Sequence, residues 1–315
     1  MTGSSMTTPD TQIFHDSPTD SAYRARWWAG RVAVYGLLIL WAVICLFPVY
    51  WTLTTSFKMA PDVMKGHMVP WVDYSPAWLG WRSLGLSPDT LGDESTVRAE
   101  FLKRFSNSAV VSLASSVLAV VLGSLAAYGL SRFSYKFAWM RNADISFFFL
   151  SQLILPPVVL ALPMLVLYKE LALLDTRIGL ILLYTLSVLP IVIWIMIGYF
   201  ETTPIELEEA AMIDGANRWE IFSKVALPIA RPGIVVAFIL SIIFSWNNFL
   251  FGVVLAGRTT RTLPVAVYNM LSFEQVSWGP LAAAALVVTL PVLLLTLFAQ
   301  RQIVAGLTAG AVKGG

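Results

Sequence analysis

The densest group of side chains that could do chemistry lies at residues 206–214, where acidic and apolar residues are interspersed. The overlapping stretch 208–216 reads EEAAMIDGA. Its carboxylates can accept hydrogen bonds from a basic partner. Ala210 and Ala211 present almost no side chain, so the backbone of a partner could approach closely. This chemistry suits recognition of another surface.

Residue types that carry catalysis or bind metals are scarce in the rest of the sequence. There is one cysteine, Cys45, and the two histidines, His15 and His67, are far apart in the chain. A lone thiol forms no intrachain disulfide, and no Cys/His spacing typical of a metal site occurs. The phosphate-binding pattern G-x-x-x-x-G-K-[ST] does not occur either. We therefore expect no catalytic site, no metal site, no cofactor and no ATP hydrolysis by this chain.

The acidic stretch is expected to form a short helix that ends in a glycine turn. Residues 203–206 (TPIE) fit a capping box, with Pro204 at the first helical position. The helix then runs through LEEAAMID, and Gly215 can adopt the left-handed conformation that ends it.

A second helix is expected directly after the glycine. Residues 217–220 (NRWE) fit another capping box, and the helix would continue to about Ala226, where Pro228 and Pro232 would end it. Trp219 and Phe222, three apart, would share one face and form an apolar patch. A solvated amphipathic connector and a docking element for a protein both fit this unit.

The rest of the sequence has the composition of a membrane protein. Hydrophobic residues make up 57% and charged residues 13% of the 315 residues, and the mean hydropathy is +0.72. Soluble domains average about a quarter charged residues, so this chain has too little charge to coat a soluble surface. Residues 1–25 are polar by contrast and are expected to form a disordered tail.

Six apolar runs are long enough to cross the ~30 Å hydrocarbon core of a bilayer. None of them contains Asp, Glu, Lys, Arg or His. They are expected at about 32–53, 106–130, 145–168, 178–200, 233–256 and 278–300. Small residues in the second run, Gly123 among them, predict close packing against a neighbouring helix. Prolines within the spans fit either curvature of the bundle or kinks that shape a gate.

The distribution of basic residues bears on the orientation of the spans. The total number of Lys and Arg residues divides almost evenly between the two sides of the membrane. Their density along the chain differs between the sides. Basic residues crowd the short segment after the second span and the segment before the first, at Arg132, Lys136, Arg141, Arg24, Arg26 and Arg31. This density favours both termini inside.

The spacing of the acidic stretch resembles a known motif. Glu209-Ala210-Ala211, three residues, Gly215, nine residues and then 225–228 (VALP) is similar to the EAA motif of ABC importer permeases. The pattern departs only in Val225, where the motif usually has Ile. The motif also lies between the last two core spans on the cytoplasmic side, as in that family.

Other segments resemble the carbohydrate-uptake branch of these permeases, and the chain looks like its maltose-transporter MalG-like subunit. The segments are Asn107-Ser108, 126–132 (AAYGLSR), 246–249 (WNNF), Leu263-Pro264-Val265 and 306–314 (GLTAGAVKG). The resemblance implies an all-α integral membrane protein with the six-transmembrane-helix permease fold of ABC importers (type I, MetI-like) and a cytoplasmic coupling helix.

The resemblance also implies partners and a location. A second homologous permease, two cytoplasmic ATP-binding subunits that hydrolyse ATP, an extracytoplasmic solute-binding protein, the lipid bilayer and a sugar-like solute are expected, and nucleic acid is not. The chain would lie in the plasma membrane of a bacterium or archaeon with both termini cytoplasmic. Residues 26–315 would be the permease domain, with an outer loop at about 54–104, a coupling loop at 201–232 and a cytoplasmic tail at 301–315.

Two sets of site residues follow from the resemblance. The ATPase-coupling residues would be Glu209, Ala210, Ala211, Asp214, Gly215, Leu227 and Pro228. The candidates for the solute path are Gln152, Ser245, Trp246, Asn247 and Asn248. Amides pair with sugar hydroxyls and tryptophan can stack on a sugar ring, but polar groups in apolar helices also hold neighbouring helices together. Both interpretations stand from residue types alone.

The function implied is that of a permease subunit forming half of a translocation path for a carbohydrate or related solute. A polyol or glycerol phosphate importer is an alternative within the class. A secondary transporter is a rival, but such proteins usually place ionisable residues or broken-helix ion sites at mid-membrane. A membrane enzyme would need clustered acids, bases or metal ligands. Neither rival explains the spacing from Glu209 to Pro228.

Overall fold

The computed structural model describes residues 20–92, 95–137, 140–271 and 276–311, and these are almost entirely helical. The helices are α1 Asp20–Thr55, α2 Ala60–Met64, α3 Leu79–Arg82, α4 Thr96–Arg132, α5 Asn142–Ser151, α6 Pro157–Glu170, α7 Arg177–Thr202, α8 Glu206–Ile213, α9 Arg218–Glu220, a π-helical turn Ile221–Ala226, α10 Leu227–Ile229, α11 Arg231–Trp246, α12 Leu250–Leu255, α13 Leu263–Tyr268 and α14 Trp278–Ala311. Strands β1 Lys136–Phe137 and β2 Met140–Arg141 pair antiparallel between α4 and α5.

The two ends of the chain differ in part from the expectation. The disordered tail is predicted for residues 1–25, and residues 1–19 of it lie outside the described part of the chain. Residues 20–25 (DSAYRA) are helical instead, because α1 begins at Asp20 and continues into the first apolar run. At the other end, α14 continues as a helix through the predicted tail to Ala311, and residues 312–315 lie outside the described part.

Four described helices are long and apolar enough to cross a membrane. They are α1 from Arg26, α4, α7 and α14 up to Gln300. A fifth span results if Arg218–Ile229 and Arg231–Trp246, which meet at a bend of 77°, are counted as one. The predicted spans at 145–168 and 233–256 are each divided between two shorter helices.

Both divisions have a local cause. Between α5 and α6 the chain reaches Pro156 and Pro157, which lack backbone N–H groups, and Pro157 begins the new helix. Between α11 and α12 the helix ends at Trp246 and resumes at Leu250. The intervening asparagines bond to nearby backbone groups, which satisfies polar groups that a continuous helix would pair internally.

The chain divides at Thr52 into two units. In the second unit, α4 and α7 pack closely, and α11 packs on both. A Cβ atom added to Gly123 of α4 would lie 2.5 Å from Cγ1 of Val192 of α7, so only glycine allows this approach. The predicted close packing of the second span is confirmed at this position.

The core of the second unit consists of three buried clusters along these helices. One buried cluster joins Tyr128, Phe200 and Phe222, which come from α4, α7 and the π-helical turn. A second cluster joins α4, α6, α7 and α12, and a third joins the segment before α4 to α11, α13 and α14. The first cluster contains Phe222, Ala226 and Ala230 of the predicted coupling loop and therefore holds that loop against α4 and α7.

Candidate functional site

The turn at Gly215 has the geometry that the sequence predicts. Helix α8 ends at Ile213, Asp214 is its C-cap, and Gly215 has a φ of +85°. The N–H of Gly215 bonds to the carbonyl of Met212 at 3.1 Å, and the N–H of Ala216 bonds to the carbonyl of Ala211 at 3.0 Å. These two bonds form a Schellman motif, which fixes the direction in which the chain leaves α8.

The second capping box is confirmed, and the first is wrong. The Asn217 side chain accepts from the N–H of Glu220, and the Glu220 carboxylate accepts from the N–H of Asn217, both at 3.0 Å. At the start of α8 the N-cap is Ile205, which makes no side-chain cap. Thr203 instead caps the preceding helix, because α7 extends to Thr202 and the Thr203 hydroxyl donates to the carbonyl of Tyr199 at 3.1 Å.

The second helix of the coupling loop, made of α9, the π-helical turn and α10, continues further than its prolines suggest. It passes through Pro228 to Ile229, and only then does the chain bend by 77° into α11. The π-helical turn before Pro228 is the physical reason. There the N–H of Leu227 bonds to the carbonyl of Phe222, five residues back. This wider turn shifts the hydrogen-bond ladder just before the proline, whose missing N–H would otherwise interrupt it.

The predicted coupling residues fall into two groups. Glu209, Ala210, Asp214 and Gly215 are exposed and Ala211 is half-buried, so α8 presents them at the surface of the second unit. Leu227 and Pro228 are half-buried further along the chain, in α10. The structure therefore separates an exposed surface, which a partner could reach, from a pair that packs against the protein.

The inner side of α8 carries Glu208, which the sequence analysis counted among the acceptors for a partner and which the structure buries within the chain. Glu208 is 2% exposed. One of its carboxylate oxygens accepts from Nε of Arg132 at 2.7 Å, and the other accepts from the hydroxyl of Tyr128 at 2.8 Å. Arg132 also donates through Nη2 to the carbonyl of Thr203 at 3.0 Å. Tyr128 and Arg132 are four residues apart at the end of α4, a spacing that places them on one helix face and could have indicated this pair.

The predicted apolar patch of Trp219 and Phe222 is divided in the structure. The two rings lie 5.5 Å apart, as a shared face requires, but Trp219 is 64% exposed whereas Phe222 is 5% exposed. The Phe222 ring lies 4.9 Å from that of Tyr128 and 6.5 Å from that of Phe200. Phe222 therefore belongs to the core, and Trp219 alone remains at the surface.

The candidates for the solute path are dispersed. Ser245 is 1% exposed, and its hydroxyl lies 3.2 Å from that of Ser115 in α4. Trp246 is 5% exposed and donates through Nε1 to the carbonyl of Val288 in α14 at 3.0 Å. These two side chains join α11 to its neighbours.

Of the three amides, two are exposed. Asn247 is exposed and donates to the carbonyl of Ile243, one turn back in its own helix, at 2.9 Å. Gln152 is also exposed, at the end of α5, and its amide lies 3.4 Å from the carbonyl of Phe148. Asn248 is half-buried, and its backbone carbonyl accepts from the hydroxyl of Tyr184 at 2.9 Å.

A second polar centre joins Asn107 and Ser108, three turns into α4, to the segment before α13. Asn107 donates through Nδ2 to the carbonyls of Thr259 and Arg261, and its Oδ1 accepts from Nε of Arg177 at 3.0 Å. Ser108 accepts from the N–H of Leu263 at 2.7 Å. The residues that carry the resemblance at 107–108 and 263–265 are thus in direct contact.

Asp175 holds the same segment from the loop between α6 and α7. Its carboxylate accepts from the N–H groups of Gly257, Thr259 and Thr260 and from the Thr260 hydroxyl. Burial opposes ionisation of this group, but the hydrogen bonds from Thr260 and Thr259 outweigh it and lower the pKa of Asp175 to about 2. The carboxylate is therefore ionised at neutral pH and anchors the loop. Among the described residues, no three His, Cys, Asp or Glu side chains form a group that could hold a metal ion.

A comparison with protein families identifies most of the described helical bundle. Residues 119–308 match the family described as "Binding-protein-dependent transport system inner membrane component". The match begins in α4, contains the whole segment from α8 to α13 and ends within α14. It thus includes both the exposed surface of α8 and the buried Glu208.

Similar proteins match along nearly the full length of the chain. The trehalose transport system permease protein SugB of Mycobacterium tuberculosis is 35% identical over 298 residues, 93% of this chain and 99% of that protein. The inner membrane ABC transporter permease protein YcjP of Escherichia coli is 34% identical, over 90% of this chain and 97% of that protein. The trehalose/maltose transport system permease protein MalG of Thermococcus litoralis is 31% identical, over 88% of this chain and 94% of that protein.

The fold is also similar to a solved structure. A chain of a bacterial ABC transporter involved in the import of the acidic polysaccharide alginate superposes with a TM-score of 0.66 and 21% identity, over 92% of this chain and 99% of that chain. At this identity the likeness concerns the fold alone. Together with the family match and the full-length relatives, it leads to one conclusion. The chain belongs to the family of binding-protein-dependent transport system inner membrane components, and it is a multi-pass permease subunit of an ABC importer.

Proposed function

We propose that this permease imports a carbohydrate, most specifically a short oligosaccharide. Relatives that match nearly the whole chain are named for trehalose, trehalose or maltose, and diacetylchitobiose. The solute would reach the membrane bound to an extracytoplasmic binding protein. A structure of similar fold, with a TM-score of 0.58 and 15% identity, is a transporter in complex with a pentasaccharide-bound periplasmic protein. No comparable observation favours a polyol or a glycerol phosphate.

The partners follow from the same reasoning. One permease forms half of a translocation path, so a second homologous permease would supply the other half. Two cytoplasmic ATP-binding subunits would hydrolyse ATP, because the sequence of this chain lacks the phosphate-binding pattern. Energy would then enter the permease as a movement of the ATP-binding subunits.

The exposed side of α8 is the surface that would receive this movement. It presents Glu209, Ala210, Asp214 and Gly215, and the Schellman motif and the buried core beneath give it a fixed orientation. Glu209 would accept a hydrogen-bonded ion pair from a basic residue of an ATP-binding subunit, and the small side chains of Ala210 and Ala211 would allow close contact. This fixed, exposed, acidic helix is the single observation that carries the coupling role. Leu227 and Pro228 would act differently, by setting the angle at which the second helix meets α11.

Six spans would result if each pair of shorter helices crosses the membrane as one unit. The spans would then be α1, α4, α5 with α6, α7, α11 with α12, and α14. This arrangement would put both termini and α8 on the same side of the membrane, and the density of basic residues after α4 supports the cytoplasmic side. The outer loop would extend from the end of α1 to the start of α4.

The solute path is proposed along α11 and α12. Asn247 is the member of this group whose amide is exposed, while Ser245 and Trp246 bind α11 to α4 and α14. We place Asn247 at the path with Asn248 beside it. Gln152 lies at the corresponding break between α5 and α6 and would act as a second, separate contact.

Reconstitution of the complete transporter in proteoliposomes tests the function. Uptake of trehalose, maltose and diacetylchitobiose would be compared with uptake of sorbitol and glycerol 3-phosphate, each with and without ATP and binding protein. We expect ATP-dependent uptake of at least one oligosaccharide only when the binding protein is present. Uptake confined to sorbitol or glycerol phosphate would contradict the solute class, and uptake independent of ATP would contradict the importer.

The topology has its own test. In a Cys45→Ser background, Lys136→Cys and Arg258→Cys introduce thiols at exposed positions on opposite sides of the proposed arrangement. We expect a membrane-impermeant maleimide applied outside to label the Arg258→Cys variant and not the Lys136→Cys variant. The reverse pattern would invert the topology.

A further inference from the structure

The ion pair between Glu208 and Arg132 joins two distant parts of the chain in a buried place. The side chains are 3% and 9% exposed, and the nitrogen and oxygen atoms are 2.7 Å apart. Removing two charges from water is costly, and such a pair is weak evidence for stability by itself. A buried pair at this position therefore calls for a role other than general stabilisation.

The hydrogen bonds of the pair connect three elements. Both carboxylate oxygens of Glu208 in α8 are occupied by groups of α4, the guanidinium of Arg132 and the hydroxyl of Tyr128. Arg132 also binds the carbonyl of Thr203, the C-cap of α7. Through one arginine, the ends of α4 and α7 and the inner side of α8 are fixed to each other.

Helix α8 depends on this connection for its orientation. It has eight residues, and helices of this length are marginal in water without tertiary contacts. Glu208 is its one buried residue, since the helix otherwise presents half-buried or exposed side chains. A force applied to the exposed side of α8 would therefore reach the membrane helices through Glu208, through the packing of α8 on the π-helical turn and through the chain connections at its two ends.

We propose that Glu208 and Arg132 are positioning residues that make α8 and the adjacent end of α4 move as one body. The inference rests on the proposed role of α8 as the element that receives movement from the ATP-binding subunits. Helix α4 is the second predicted span, and two further spans lie between it and the coupling loop. The ion pair would thus carry the movement to a helix that is not adjacent to α8 in the sequence, in addition to α7 and α11.

Tyr128 gives the connection a second contact. Its hydroxyl donates to Glu208, while its ring packs on Phe222 of the π-helical turn and on Phe200 of α7, with centroids 4.9 Å and 5.4 Å away. The π-helical turn after Gly215 therefore packs on the same residue of α4 that bonds to α8. Arg218 adds a further contact, because its Cζ atom lies 4.8 Å from the centroid of the Phe133 ring.

A distance measurement in the complete transporter tests the proposal. In a Cys45→Ser background, spin labels at Glu206→Cys on α8 and Lys136→Cys just beyond α4 report the separation of the two elements. Both positions are exposed. With the ion pair intact, we expect one narrow distance distribution that is the same without nucleotide and with a non-hydrolysable ATP analogue. With Glu208→Gln, we expect a broader distribution that changes when the analogue binds.

Transport per ATP hydrolysed is the second readout. We expect Glu208→Gln to lower this ratio at least about fivefold, the lower end of typical coupling between sites. Arg132→Lys keeps a positive charge beside Glu208 but offers one nitrogen in place of Nε and Nη2, so its ratio and its distance distribution should lie between those of the unmodified protein and of Glu208→Gln, a graded result that misfolding would not give. Glu201→Gln, an exposed carboxylate at the end of α7, is the matched control and should change neither readout.

The outcomes separate this inference from the proposed function. If Glu209→Lys leaves ATP-driven transport intact, the role of α8 fails and the inference fails with it. If Glu209→Lys abolishes transport while Glu208→Gln keeps a narrow, nucleotide-independent distribution and a normal ratio, α8 is the coupling element but the ion pair does not position it.

Discussion

Glu208 and Glu209 are consecutive residues of α8, but Glu208 is buried against Tyr128 and Arg132 whereas Glu209 is exposed. A helix turns by about 100° per residue, so neighbouring side chains leave it in different directions. Two chemically identical groups thus have different surroundings and, in our proposals, different roles. Substitutions at the two positions should differ accordingly.

Substitution of Glu209 should affect coupling without affecting the fold. We expect Glu209→Lys to change the free energy of unfolding by less than about 0.5 kcal/mol, because the side chain is exposed. Binding-protein-stimulated ATPase activity and transport should be lost, because a lysine would repel a basic partner. Thermal unfolding of the purified chain and ATPase assays of the complex measure the two effects. Stimulated activity at the level of the unmodified protein would refute the coupling role of Glu209.

Gly215 should resist substitution for a conformational reason. Its φ of +85° is costly for residues with a Cβ, by about 1–2 kcal/mol, although a Cβ at this site would meet no atom within 4 Å. We expect Gly215→Ala to lower stability by this amount and Gly215→Pro to abolish coupled transport. Gly198→Ala in α7 is the matched control, since its Cβ would also meet nothing within 4 Å and no left-handed backbone is involved. Equal stability of the two alanine variants would show that the Schellman turn is not under this constraint.

Asp175 should anchor residues 257–260 at neutral pH and release them only in strong acid. Its pKa falls from 3.8 to about 2, so the contribution to stability is fully present above 3.8 and is lost as the pH falls through about 2. We expect Asp175→Asn to reduce hydrogen-exchange protection of the amides of Gly257, Thr259 and Thr260 about tenfold at pH 7, since bonds to a charged acceptor are about twice as strong as neutral ones.

The control for this prediction is Glu170→Gln, an exposed carboxylate at the end of α6, which should leave that protection unchanged. Gly257→Ala should reproduce the loss, because the added Cβ would lie 2.6 Å from Cγ of Asp175. Unchanged protection in Asp175→Asn, or a loss that begins near neutral pH in the unmodified protein, would contradict the anchoring role.

The candidates for the solute path should separate into two classes. Asn247→Ala should change the KM for transport and leave thermal stability nearly unchanged, because the amide is exposed and bonds only within its own helix among the described contacts. Trp246→Phe should lower stability by about 1–3 kcal/mol, because the carbonyl of Val288 loses its buried donor. Transport kinetics measured beside thermal unfolding would distinguish the classes. If Asn247→Ala alters stability and leaves the KM unchanged, Asn247 belongs to the packing class.

Local sequence determined much of the coupling loop. The φ of Gly215, the Asn217–Glu220 capping box and the end of α8 just before Gly215 depend on residues a few positions apart, and the sequence analysis predicted them. The first capping box was wrong because α7 continued further than expected and took Thr203 as its own cap. The family itself follows from fixed spacing along the chain, which needs no tertiary information.

The tertiary structure decided which side of each helix is buried. A sequence shows that Glu208 and Glu209 are acidic, and that Ser245, Trp246 and Asn247 are polar groups in an apolar run. Whether a given side chain meets solvent or another helix depends on partners that lie far away in the sequence, such as Arg132 for Glu208 and Val288 for Trp246. Hydrogen bonding and desolvation act on distances in space, so the division between exposed and buried polar groups emerges only when α4, α7, α11 and α14 are packed together.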